Sequence, residues 1–244
     1  MTHTDLPTPT GFLVVDKPYR LSSTSIVSVV KARLRHGGAP KRIKVGHGGT
    51  LDPLASGVLV VLVGKATKLC DRVMQGTKTY RATIDLSRTS DTDDLEGELT
   101  DVHVAAPPTR ETVDHVLQSK FTGTVMQTPP IHSAIFVNGK RAYDLARRGH
   151  DVQLEARPIQ IDAISIERYE FPELEISVTC GKGTYIRSLA RDVGVALKCG
   201  GMLTGLRRTQ VGLFSLEHAY TLDDVPDPLM QEHLLSIDMI NATS

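Results

Sequence analysis

KVGHGGTLDPLASGVLVVLVGKATK, residues 44–68, changes character halfway along. The first half is rich in glycine and holds one acid, Asp52, followed by Pro53. The second half, GVLVVLVG (57–64), is a Val/Leu run bounded by glycine. A short β-branched run of this kind reads as a buried strand. The glycines before it permit unusual backbone angles and close approach of a ligand. A strand directly behind fixes the loop, and a carboxylate so placed can serve as nucleophile or base. An Asp-Pro step is also a common plain turn. From these residues alone both readings stand.

Working outward, GFLVVDKP (11–18) reads as a buried strand ending in a turn. SSTSIVSVVKARLRHGG has apolar residues at 26, 27, 30 and 34, Ser/Thr caps before them and glycines after, which predicts an amphipathic helix. Residues 37–50 hold five glycines and form a basic loop. ATKLCDRVMQ reads as helical, KTYRATIDL (78–86) alternates like a strand, and RTSDTDDLEGE (88–98) reads as an acidic loop. TRETVDHVLQSK (109–120) is a helix behind Pro107 and Pro108, and 134–149 suggest a strand, an Asn-Gly turn and a short basic helix. RPIQIDAISIERYEF and ELEISVTC are strands suited to antiparallel pairing. GTYIRSLARDVGVAL (183–197) is a helix and TQVGLFSL a last strand. The sum is an α+β (mixed α/β) domain with a largely antiparallel sheet.

The 244 residues suffice for a sizeable core, and 40% hydrophobic with 23% charged residues is ordinary for a soluble globular protein. Cys70, Cys180 and Cys199 make no CxxC pair, which argues against a disulfide scaffold or structural zinc. No apolar run approaches a membrane span, and MTHTDLPTPTG shows no secretory signal, so the expected location is the cytoplasm. Net charge is zero, but it is unevenly spread. Residues 1–208 hold all 28 Lys and Arg and 22 of the 28 acids, while six acids lie in the tail. Lys31, Arg33, Arg35, Lys41, Arg42 and Lys44 form one basic cluster, Lys140, Arg141, Arg147 and Arg148 a second, and Arg207 with Arg208 a third. Such patches attract polyanions, although a cluster taken singly is as compatible with a solvated surface; the first is harder to dismiss, because its glycine-rich segment leads straight into the opening stretch.

Familiar nucleotide and metal motifs fail. GKAT (64–67) has alanine where a phosphate-binding loop needs Ser or Thr, and Gly57 lies too far upstream. DTDD (91–94) is followed by Leu95 where calcium requires a ligand. Nine histidines show no zinc spacing, so neither a metal nor a cofactor is expected.

The opening stretch resembles the signature of the TruB family, bacterial tRNA pseudouridine-55 synthases, and the resemblance continues through residues 11–212. GFLVVDKPYRLSSTSIVSVVKARL is similar to the family's opening and KTYRATIDLSRTSDTDDLEGE to its second motif. PPIHSAIFVNGKRAYDLARRG with EARPI is similar to the third region, and GKGTYIRSLARDVG and LRRTQVG to the last two. So many motifs in the family's order make coincidence untenable.

The resemblance implies a pseudouridine synthase fold with a largely antiparallel central sheet flanked by helices and loops. It implies breakage of a uridine's glycosidic bond, rotation of the base and rejoining through carbon, on uridine 55 of the tRNA T-arm. Asp52 is then the essential carboxylate, as nucleophile or base. Tyr80 stacks on the uracil and assists proton transfer, and Arg187 pairs with the aspartate, completing the catalytic set. Asp94 engages the same arginine, and Tyr185 and Leu206 wall the pocket. His47 lies near the extruded nucleotide. Lys182 and the basic clusters (Lys41, Arg42, Lys44, Arg147, Arg148) contact phosphates. Without the resemblance Tyr80, Tyr185 and Leu206 would pass as core.

His132 and Phe136 depart from the family's usual tyrosine and lysine. The expected organisation is a flexible N-terminus (1–10), a catalytic domain (11–216) and a short acidic tail (217–244), with the family's PUA-type RNA-binding domain absent or vestigial. The tail's TLDDVPDP suggests a capped helix start that packs on the domain. A monomer acting on tRNA is expected, with no membrane and no nucleotide cofactor. A tRNA-folding chaperone without catalysis and an aspartate-dependent glycosylase are the other functions weighed. Glycosylases usually work with two acids.

Overall fold

The computed structural model describes residues 8–131, 136–137, 140–141 and 154–241. In chain order the strands are β1 (Gly11–Lys17), β2 (Val45–His47), β3 (Ala55–Val63), β4 (Lys78–Asp85), β5 (Arg88–Ser90), β6 (Leu99–Asp101) and β7 (Gly123–Gln127). They continue as β8 (Phe136–Val137), β9 (Lys140–Arg141), β10 (Arg157–Glu170), β11 (Glu173–Cys180), β12 (Met202–Val211), β13 (Phe214–Ser215) and β14 (Ala219–Thr221). The helices are α1 (Ser23–His36), α2 (Cys70–Gln75), α3 (Arg110–Lys120), α4 (Ile186–Leu197) and α5 (Asp238–Asn241). The chain forms two compact units, Met1–Thr79 with Arg207–Ser244, and Tyr80–Leu206. Each has a mostly antiparallel sheet with helices against it.

In the first unit β1 lies between β14, parallel to it, and β3, antiparallel to it, with Val14 opposite Val60 and Lys17 opposite Gly57. Both faces of β1 and β3 are covered, which is why their sequences run apolar without alternating. Leu13, Val15, Leu59, Val61 and Val63 pack with Ile26, Val30 and Leu34 of α1. Phe12, Val14, Val58, Val60 and Leu62 pack on the other side with Ala66 and Val73. Each fully buried Val or Leu of this kind contributes roughly 1.5–3 kcal/mol. Helix α1 forms as its caps predict: Ser22 accepts the amide of Ser25 at 3.0 Å, and Gly37 closes the last turn onto Arg33 at 3.1 Å. The stretch predicted as one basic loop contains β2, which pairs with β3. The predicted helix at 66–75 splits into a 3₁₀ segment, Gly64–Leu69, and α2.

The acidic tail packs into this unit. Phe12 and Leu235 exchange two main-chain bonds of 2.9 and 2.8 Å, and Val225, Leu229 and Leu234 join the α1 core. The Arg33 guanidinium donates to the carbonyls of Leu222 and Val225, which removes it from the basic patch proposed from sequence. TLDDVPDP forms a single turn, with Thr221 accepting the Asp224 amide, and no helix. Thr10 exchanges two bonds with Gln231, of 2.7 and 3.0 Å.

In the second unit β7, β10, β11 and β4 lie side by side, with the first half of β12 next to β4. Ile159 and Ile161 of β10 are buried, and then Ile164 is. The phase changes because the register slips between Ile161 and Ala163. A bulge moves later side chains to the opposite face. Val113 and Leu117 of α3 and Ile186, Leu189, Ala190 and Val193 of α4 complete this core. The segment predicted as an acidic loop holds β5, paired with β6, and then buries Asp93 and Asp94. The predicted strand TQVGLFSL turns at Gly212 (φ 53°) into the hairpin β12–β13. β8 falls within the predicted strand and pairs with β9, a second short strand that the sequence reading did not include, while the Asn-Gly turn, the predicted basic helix and His132 lie outside the described residues. Among the described residues no helix is long and apolar enough to cross a membrane.

Candidate active site

Asp52 is half-buried on the loop between β2 and β3. That loop is tied down almost entirely through its main chain. The buried Ser23 hydroxyl, at the start of α1, donates to the Leu51 carbonyl and accepts the Leu51 amide, both at 2.9 Å. The Arg20 amide donates to the Pro53 carbonyl at 2.7 Å, and Ala55 closes a turn onto the Asp52 carbonyl at 3.0 Å. Gly49 has φ 118°, a backbone that a side chain would strain.

Lys17, at the end of β1, is fully buried. Its ammonium donates to the carbonyls of Leu21 at 2.7 Å, Pro18 at 3.0 Å and Pro53 at 3.4 Å. Its pKa is lowered to about 8: burial drives it down, the nearby Asp52 carboxylate opposes the fall, and the Arg208 charge adds to it. Three acceptors match three hydrogens, so a neutral amine must release one of them. An alkaline limb near pH 8 is therefore expected in the rate profile of any reaction that depends on this loop, with lower activity above it. The folded amine sheds its proton more readily than the unfolded one, with its ordinary value of 10.5. The unfolded chain then binds more protons over that interval, so this group alone makes the fold more stable as pH rises through it. Titration of Lys17 thus does not itself unfold the protein across the limb. Rates of wild type and Lys17→Met from pH 6 to 10 check the assignment, and a limb that survives in Lys17→Met refutes it.

Arg208 is the feature that sequence reasoning missed. It and Arg207 were expected to form a phosphate-attracting patch, and the structure corrects this. Arg207 forks onto Asp16 at 2.7 and 3.2 Å. Arg208 is 2% exposed and donates to the carbonyls of Val58 at 2.8 Å, Gly49 at 3.1 Å and Thr50 at 3.2 Å. The available signal was indirect: a glycine-rich loop carries carbonyls that need donors from somewhere.

His47 lies on β2 opposite Val61 and is half-buried. Burial first, and then the charge on Arg208, lower its pKa, so the ring is neutral at pH 7. Lys41, Arg42 and Lys44 are exposed just upstream. Arg147 and Arg148 lie outside the described residues.

The second unit holds the remaining predicted residues. Arg187, in the first turn of α4, pairs with Asp94 at 3.4 Å, and both side chains are 9% exposed. Its guanidinium also donates to the Thr92 carbonyl at 3.3 Å. Asp94 in turn accepts from the Thr92 hydroxyl at 2.6 Å and the Glu96 amide at 2.9 Å. One turn further along α4, Arg191 pairs with Asp93 at 2.9 Å. The acidic segment is thus docked on α4 by two consecutive Asp–Arg pairs, as the expected Asp94–Arg187 contact requires. Burial raises the Asp93 pKa, with the arginines opposing it. Tyr185 is pinned by the buried Gln127, which accepts its amide at 2.9 Å and donates to its carbonyl at 3.1 Å. Arg157 lies over its ring, 5.5 Å from the centroid. Tyr80 and Leu206 are partly buried at the margin of the core, and Lys182 is exposed.

Comparison with known proteins identifies the family. Residues 37–186 match the family model for the N-terminal domain of TruB family pseudouridylate synthases. Residues 187–239 match that for the C-terminal domain of tRNA pseudouridylate synthase B. The chain is 45% identical over 222 residues to the tRNA pseudouridine synthase B of Phocaeicola vulgatus, covering 91% of this chain and 94% of that protein. It is 48% identical over 221 residues to that of a Synechococcus species, covering 90% and 72%. A solved chain from a Cbf5–Nop10–Gar1 complex aligns with TM-score 0.68 at 28% identity, over 92% of this chain but only 59% of that one. The chain belongs to the TruB family of pseudouridylate synthases and is an isomerase.

Proposed function

We propose that the protein converts uridine 55 in the T-loop of tRNA to pseudouridine, with Asp52 as the essential carboxylate. The observation that carries this reading is the loop itself. A lone half-buried acid sits in GTLDP, on a main chain held by Ser23, Lys17 and Arg208, in a chain matching tRNA pseudouridine synthase B over nearly all its length. The reaction is an isomerisation: the bond from C1′ to N1 breaks, the bond from C1′ to C5 forms, C5 loses a proton and N1 gains one. Asp52 serves as nucleophile or base in that sequence. Tyr80 stacks on the uracil and assists proton transfer, and Arg187 is the third catalytic residue. Tyr185, Leu206 and Asp94 shape and hold the pocket.

A T-loop uridine is stacked, and turning it out costs roughly a few kcal/mol. The neutral ring of His47 is suited to stacking on bases during that step. Lys41, Arg42, Lys44 and Lys182, with Arg147 and Arg148, supply phosphate contacts, which dominate affinity and make it salt-dependent. Mapping pseudouridine in tRNA from cells with and without the protein tests the reading. It fails if position 55 is modified equally in both. Free uracil in place of pseudouridine would mark a glycosylase.

The charge reversal Lys41→Glu with Arg42→Glu is expected to weaken tRNA binding and to flatten its dependence on log salt by about 1.5 units for two lost contacts. Filter binding at several salt concentrations measures this, and an unchanged slope returns both residues to the solvated surface.

A further inference from the structure

We propose that Arg208 is a positioning residue for the reaction: it fixes the Asp52 carboxylate by gripping the main chain on both sides of it. This rests on the reading of Asp52 given above.

Arg208 is the largest fully buried side chain among the described residues. All three of its hydrogen bonds given above go to main-chain carbonyls. Two of these, on Gly49 and Thr50, precede Asp52, and the third, on Val58, follows it in β3. One planar guanidinium therefore sets the spacing of the two ends of the segment 49–58. The backbone of Arg208 presses on the same segment, because a Cβ at Gly57 (φ 107°) would collide with the Arg208 main chain.

Filling a cavity does not require an arginine. Burying a cation is costly and is offset here only by charge-assisted bonds, so an apolar residue of similar size would hold the core as well. What an apolar residue lacks is a rigid fork that reads three carbonyl positions at once, and a lysine cannot reproduce that geometry. A displacement of about 1 Å at a reacting group can cost on the order of 10²-fold in rate. The distance from Arg208 to the loop thus bears on turnover more than on substrate affinity.

The test compares wild type with Arg208→Lys, Arg208→Met and Gly49→Ala, measuring pseudouridine formation in tRNA per folded molecule, KM, filter binding and Tm. Arg208→Lys is expected to lose roughly 10- to 100-fold in kcat with KM within about threefold, and Arg208→Met more. Gly49→Ala perturbs the contact from the other side and keeps the protein folded if Arg208→Met does not. The nearest atom to its new methyl is 3.9 Å away, but φ 118° is strained, so the carbonyl shifts off the fork. It should lose about tenfold in kcat. A lowered Tm with kcat per folded molecule within threefold of wild type in Arg208→Lys and Gly49→Ala overturns the proposal. So does a loss confined to KM and tRNA binding. Asp52→Asn is run alongside. If Asp52→Asn stays active, the reading of Asp52 fails. If it is inactive while Arg208→Lys is normal, only the positioning role fails.

Discussion

Asp52→Asn and Asp52→Ala are expected to abolish pseudouridine formation, with a loss of at least ~10³-fold for the removal of a catalytic carboxylate. On the barrier this is about 4 kcal/mol or more. The loss should be specific, because the main chain of the loop has anchors of its own. Leu51 is held by Ser23, Pro53 by Arg20 and Lys17, and Gly49 and Thr50 by Arg208, all through backbone atoms. Both variants should therefore fold and bind tRNA within a few-fold of wild type. Asn preserves the shape and removes the charge, so it isolates the chemistry from the packing. It also withdraws the anion that sustains the Lys17 ammonium, and the Lys17 pKa should fall below about 8. Tritium release from tRNA labelled at uridine C5 measures the outcome. Full release by both variants would remove Asp52 from the mechanism.

The fold was legible where the sequence carries local signals. β1 and β3 announced themselves as apolar runs because both faces are covered. Helix α1 carried Ser22 before it and Gly37 after it. Illegible were features set by long-range partners. β2 is three residues long and exists because β3 offers an edge. β14 follows the presumed last strand and pairs in parallel with β1 across some two hundred residues of chain. The acidic stretch at 88–98 reads locally as a loop; the family resemblance alone pointed to Asp94 meeting Arg187, and nothing nearby in sequence shows that Arg191 will meet Asp93. The candidate site divides similarly. Asp52 stood out as a lone acid in a glycine-rich loop. Arg208 did not, because what marks it is three carbonyls distant in sequence. Tyr185 was visible only through family resemblance, and its anchor, Gln127, not at all.

Arg187→Ala should lose turnover far more than RNA affinity, by about 10²-fold or more for a charged group acting only in the reaction. The complication is stability. Arg187 and Asp94 form a pair with each side chain 9% exposed, and removing one partner of a buried pair typically costs about 3–5 kcal/mol because the other charge is stranded. A loss of activity could then report unfolding alone. Adding Asp94→Asn separates the two effects. In the double variant the stranded carboxylate is gone, so Tm should recover most of what Arg187→Ala lost, while the rate should remain low. Arg187→Lys keeps a charge against Asp94 but cannot fork between it and the Thr92 carbonyl, and it should fall between wild type and Arg187→Ala. Single-turnover rates at saturating tRNA, filter binding and thermal melts on the same preparations give all three quantities. If rate recovers with Tm in the double variant, the guanidinium serves only to seat the acidic segment on α4. If rate stays low at restored Tm, it takes part in the reaction itself.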